Sequence, residues 1–225
     1  MRAHRSTRVH DPGDKTQHTI HRLEAFSDVV MGFGLAQLGL NLVLPTGSTD
    51  PRSTWGGMAF FVASFGFVAL LWWLHHRTFS TYFVLNTPMV LMNFAMLCGL
   101  VVTLYLFESV VHVSAAGGDA AAYFNWFVLA FALVYALIGA MLALGLRLRW
   151  RELAPADLRW GIAQLSSIGI AVLFFSFVGA YASRGAHHLS LGSVAIATAV
   201  ATVVIRRVIL PYWLRRAIPD VPAAG

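Results

Sequence analysis

Six apolar stretches, each about as long as a bilayer is thick, fill most of this chain and confine its charges to the short segments between them. A hydrocarbon core of about 30 Å takes roughly twenty helical residues to cross, and lipid offers no partner to an unpaired backbone group. The stretches run from about Ala25 to Leu44, Trp55 to His75, Pro88 to Val110, Ala122 to Leu146, Leu158 to Ala182 and Leu189 to Ile209. They are too long for barrel strands and lack period-two alternation. The expected fold class is therefore all-α: an integral membrane protein with six transmembrane helices per subunit. Composition agrees, since 58% of the 225 residues are hydrophobic and 12% charged. That leaves too little polar surface to cover a soluble core.

The charges between the stretches orient them. Fourteen of the sixteen cationic residues fall on one side: the N-terminal segment through Arg22, then Arg77, the loop from Arg147 to Arg159, and Arg206, Arg207, Arg215 and Arg216. Only Arg52 and Arg184 fall on the other. The positive-inside rule then puts both termini in the cytoplasm of a cell inner membrane. Arginine supplies nearly all of the cations and alanine is frequent, a composition that fits a bacterial genome rich in G and C. Three regions are expected: a flexible basic cytoplasmic tail at 1–21, a six-helix membrane domain at 22–210 and a cytoplasmic tail at 211–225. The tail has no apolar core of a secretory signal. A net charge of +6 without an aromatic-interleaved basic stripe does not describe a nucleic-acid partner. Cys98, the sole cysteine, sits in an apolar run and is expected to be buried; no metal site or cofactor is expected.

The first stretch opens on RLEAFSD, Arg22 to Asp28. Asp28 lies about one turn inside the span, where a bare carboxylate needs a partner or water. Glu24 and Asp28 are four apart and share a helix face, and Arg22 and Phe26 share another. Further in, Phe33, Gln37, Leu40, Asn41 and Leu44, with Ala36 at the edge, follow the three-and-four spacing of one face. Amides facing lipid would go unsatisfied, so this face meets either another helix or a wet passage. One helix cannot enclose a path, so a pore built from it needs several copies of the chain.

RLEAFSD resembles the signature Arg-x-x-x-Phe-Ser-Asp of the transmembrane protein 175 potassium-channel family. Trp73, His75, His76, Arg77 and Phe79, followed by Asn93, resemble that family's second block. The resemblance covers about the first half of the chain. It implies a homotetramer in which the first helices surround a path for a permeant monovalent cation, potassium in the first place. It implies an apolar neck instead of a carbonyl filter, and no Thr-Val-Gly-Tyr-Gly-like segment is present. Carried over by position, the tightest ring falls on Phe33, a selectivity threonine on Ala36 and a second apolar ring on Leu40. Ala36 departs from the family here, since it has no hydroxyl to replace part of an ion's hydration shell; Gln37 and Asn41 add amides to the same face. The remaining motif residues, Arg22, Phe26, Ser27, Asp28, Trp73, His75, His76 and Asn93, are implied to support the pore helix. One of the two histidines, with Trp73, is expected to reach Arg22, Ser27 or Asp28. Adjacent histidines diverge by about 100° on a helix and do not chelate one metal together.

The functional expectation is a passive cation channel. The alternatives are a secondary or proton-coupled transporter, disfavoured by the lack of mid-membrane acids and broken helices, and a poorly selective or non-conducting scaffold. No Gly-x-Ser-x-Gly or His-Glu-x-x-His motif points to an enzyme.

Overall fold

The computed structural model describes residues 12–43 and 51–182, which form α1 (Pro12–Val43), α2 (Pro51–Tyr82), α3 (Thr87–Ala115), α4 (Ala121–Arg149) and α5 (Pro155–Ala182). Among the described residues there is no strand. Among the described residues four segments are long and apolar enough to cross a membrane, Lys15–Leu40, Thr87–Ser114, Ala121–Arg149 and Pro155–Tyr181; the expected second span in α2 is not one of them. The expected sixth span at Leu189–Ile209, the tail at 211–225 and the loop after α1 lie outside the described residues.

The helices overrun the apolar stretches at their polar ends. α1 begins at Pro12 rather than Ala25, so residues 12–21, expected as flexible tail, continue the helix. Ile20 and Leu23 pack against the buried cluster of Phe79, Phe83 and Met89. This gives an otherwise polar segment an apolar reason to stay helical. α3 starts where Asn86, in extended backbone, accepts a hydrogen bond from the Met89 amide at 2.9 Å, with proline in the first turn. The α3–α4 turn passes through Gly117 at φ 73°, a left-handed backbone that glycine adopts without a Cβ penalty.

α3, α4 and α5 pack in sequence as neighbours, while α1 lies against α2 and α3, and α2 also meets α4. Their shared core holds Met31 and Leu38 of α1, Leu71 of α2, Leu100 of α3, and Phe131, Ile138 and Leu142 of α4. Among the described residues Gly32 faces open space and Gly39 meets the Phe61 ring, whereas Gly34 admits Leu104 of α3, whose Cδ1 would lie 2.7 Å from an added Cβ. Cys98 is exposed on α3 instead of buried. In a membrane span the outward face meets acyl chains, so an apolar run does not by itself imply an interior position.

A second set of contacts closes the motif-bearing end of the bundle. The Tyr82 hydroxyl donates to the Asp157 carbonyl at 2.6 Å, and its ring stacks on Trp160 at 5.8 Å. Burial, aided by the Asp157 carboxylate, pushes this phenol up to about 12, so it stays protonated and able to donate. Arg77 lies 4.5 Å from the Trp160 ring centre and 3.9 Å from the Asp157 carboxylate, and Arg149 donates to the Thr81 carbonyl. Gly145 makes this approach possible, because a Cβ there would strike the Tyr82 carbonyl and stand 2.7 Å from the Tyr82 Cβ. Gly145→Ala is therefore expected to cost about 1–3 kcal/mol through forced backbone displacement. A lowered melting temperature in detergent checks this; an unchanged one would mean that α2 and α4 separate without cost.

Candidate functional site

α1 carries two apolar stripes on opposite sides. Ser27, Met31 and Leu38 are buried, with Gly34 between them, in i, i+4, i+7, i+11 spacing. Val29, Phe33, Ala36, Gln37 and Leu40 lie on the other side and are exposed, Phe33 at 74%. All four of the expected path residues with described side chains, Phe33, Ala36, Gln37 and Leu40, thus share a face that nothing among the described residues covers. The Asn41 side chain lies outside the described residues. Between this face and α3 runs a groove of about 670 Å³, bordered by Val29, Phe33, Gln37, Val101, Tyr105 and Glu108. Glu108 borders this groove and faces His112 at 3.6 Å.

The rotational setting of α1 is fixed at its motif-bearing end by two polar connections. The inner one is buried. Ser27 Oγ donates to the Leu23 carbonyl at 2.9 Å, so its lone pairs accept from Asn93 Nδ2 at 3.1 Å. The amide of Asn93 then presents Oδ1 to His75 Nε2 at 2.8 Å, and because an amide oxygen only accepts, the imidazole proton sits on Nε2. Ser27 and Asn93 are fully buried and His75 is 1% exposed. One directed run of donors therefore joins α2 to α3 to α1 through buried side chains.

The outer connection is an antiparallel ladder. Trp72 Nε1 donates to Asp28 Oδ1 at 2.7 Å, and His76 Nδ1 lies 3.0 Å from Glu24 Oε1. Residues four apart on α1 meet residues four apart on α2, in reversed order. The Trp72 and His76 rings stack at 5.3 Å and 16°, so the rungs support each other. Glu24 also has His21 of its own helix at 3.7 Å. The two adjacent acids that would repel on a bare helix are each taken by a separate partner on α2.

The positions of the motif residues differ from the sequence expectation in two ways. Trp72, assigned no role, reaches Asp28, while Trp73 turns toward α5, where it meets Trp160 edge-on at 6.1 Å. Both histidines face α1, His76 directly and His75 through Asn93. Phe26 meets Phe94 of α3 edge-on at 5.8 Å, and Arg22 is exposed, with no ion pair among the described residues. The signal that could have identified Trp72 is its spacing: Trp72 and His76 are four apart, as are Glu24 and Asp28, and an indole N–H near the membrane needs an acceptor. Among the described residues no group of three or more histidine, cysteine or acidic side chains is placed to hold a metal ion.

Residues 22–104 match the family model described as the endosomal/lysosomal potassium channel TMEM175, the family that the two motif blocks resemble. The matched segment contains every residue of both polar connections except His21, together with the exposed stripe of α1. It is a family of ion channels and not of enzymes. Neither a curated protein nor a solved structure matches the chain.

Proposed function

We propose, from the premise that residues 22–104 match a potassium-channel family, that the chain is one subunit of a passive cation channel. Each subunit supplies six spans within residues 22–210, and four copies surround a central axis. Both termini, 1–21 and 211–225, face the cytoplasm of a bacterial inner membrane. The face of α1 bearing Val29, Phe33, Ala36, Gln37 and Leu40 lines the path. The single observation that carries this reading is that face itself: an apolar stripe interrupted by an amide, uncovered among the described residues, on a helix whose opposite stripe is anchored to α2 and α3. Lipid leaves the Gln37 amide without a partner, whereas a wet axis satisfies it.

In this arrangement Phe33 forms the neck and Leu40 a second apolar ring, and ions pass when the neck widens enough to stay hydrated. Potassium is the principal ion by family. Ala36 contributes no oxygen to a dehydrating ion, so the Gln37 amide oxygens supply the polar contact on this face. Gln37→Leu is expected to reduce potassium flux roughly tenfold, the effect of losing about 1.5 kcal/mol of hydrogen-bond-strength contact to a charge.

The test is flux through purified protein in liposomes, with potassium, sodium and proton gradients compared. Potassium flux that follows the gradient without saturation or a coupled proton supports the channel. Saturating, proton-coupled flux would replace it with the transporter, and no flux for any ion would leave a non-conducting scaffold. Unchanged conductance and ion preference in Gln37→Leu would remove the amide from the path while leaving the channel standing.

A further inference from the structure

Between α4 and α5, at the end of the bundle that carries the arginine-rich loop, lies a groove of about 420 Å³. One side is a single stripe of α4, Ala143, Leu146, Arg147 and Trp150, in i, i+3, i+4, i+7 spacing. The other side is Ile162 and Leu165 of α5. The floor is aliphatic, and the mouth is an exposed guanidinium beside an exposed indole. Its polarity therefore runs from charged to apolar along the helix axes, the order of groups in a phospholipid that enters from the membrane surface.

The charge around the mouth selects the sign of the headgroup. The loop carries two acids, and both are taken: Glu152 faces Arg149 at 3.3 Å, and Asp157 faces Arg77 at 3.9 Å. Arg147 and Arg151 have no ion-pair partner among the described residues. An anion is what this mouth lacks. The chain's own C-terminal part is a poor occupant, because the end of the expected sixth span and the tail bring Arg206, Arg207, Arg215 and Arg216, charges of the same sign as Arg147.

We propose that this groove binds an anionic phospholipid, with the phosphate on Arg147 beside Trp150 and an acyl chain along Leu146, Ile162 and Leu165. The site stands apart from the α1 face and from the polar connections of α1 to α2 and α3. It rests on the membrane reading of the chain and not on ion conduction.

The test uses full-length protein in detergent micelles, titrated with phosphatidylglycerol or phosphatidylcholine carrying the same brominated acyl chains. Bromine quenches a nearby indole, and the Trp150 signal is the difference between the unmodified protein and Trp150→Phe. Phosphatidylglycerol is expected to quench Trp150 at about five-fold lower concentration than phosphatidylcholine, the preference that one cation near a lipid phosphate supplies. Arg147→Gln should bring the two lipids together while leaving quenching in place. Ala143→Phe, which fills the floor, should remove quenching by both; each variant is first shown to elute as the unmodified protein does. Equal quenching by both lipids in the unmodified protein, or a preference that survives Arg147→Gln, overturns the headgroup assignment. No quenching of Trp150 by either lipid overturns the site altogether and means that another segment or copy of the chain covers the groove. None of these readouts depends on ion flux, so failure here and failure of the channel reading are separate results.

Discussion

Replacing Asn93 by leucine is expected to destabilise the subunit by about 2–6 kcal/mol. The substitution leaves two buried groups, the Ser27 hydroxyl lone pairs and the His75 Nε2 proton, without partners, at roughly 1–3 kcal/mol each. An interhelical hydrogen bond within a membrane is worth only about 0.6 kcal/mol on average, because the separated helices find other partners. The larger figure applies here because Asn93, Ser27 and His75 are all buried where α1, α2 and α3 meet. The outer ladder gives the contrast. His76 is 44% exposed and Glu24 17%, so His76→Ala or Glu24→Gln should cost no more than about 1 kcal/mol. Melting of the purified protein in detergent, measured for Asn93→Leu, His76→Ala and Ser27→Ala, checks the ranking. A cost for His76→Ala equal to that for Asn93→Leu would show that the ladder, and not the buried run, sets α1.

Phe33→Ala is expected to have the opposite profile: at least a tenfold rise in cation flux with almost no change in stability. The side chain is 74% exposed, so truncating it removes little packing from the subunit, and the change in melting should stay within about 0.5 kcal/mol. In the proposed pore the same side chain excludes water from the neck, and removing it lets the ion keep more of its hydration shell. A tenfold gain corresponds to about 1.4 kcal/mol off the barrier, a small part of what an apolar constriction imposes on an ion. Potassium, sodium and proton flux measured in parallel separates a widened neck, which speeds all three, from altered selection at Gln37, which changes their ratio. Unchanged flux in Phe33→Ala moves the constriction to another position on the path.

Much of this organisation was legible in the residues. Length and hydropathy mark the spans, and the described helices cover five of the six expected stretches, extended at their polar ends by caps and by apolar packing such as that of Ile20 and Leu23. Helical periodicity identified the Phe33–Leu40 face, because residues three and four apart must lie together on any helix. The choice between neighbouring aromatics was not legible. Trp72 and Trp73 are equal in composition and lie one residue apart, yet one meets Asp28 and the other Trp160. A step of about 100° around α2 separates them, and what stands at each angle is decided by how distant segments pack. The same holds for the glycines: Gly32 and Gly34 are indistinguishable by type, and only the course of α3 makes Gly34 the close approach.

By itself, then, the order of residues determined the class of protein, its described helices and which residues of α1 share the Phe33–Leu40 face, since bilayer thickness and the 3.6-residue turn act on each segment alone. Tertiary structure decided which partner each polar group of the motif takes. Glu24, Ser27 and Asp28 lie within one turn and a half of α1, but they are paired with His76, Asn93 and Trp72 on two other helices. A hydrogen bond fixes distance and direction between groups far apart in the chain, and those exist only once the helices have taken their places.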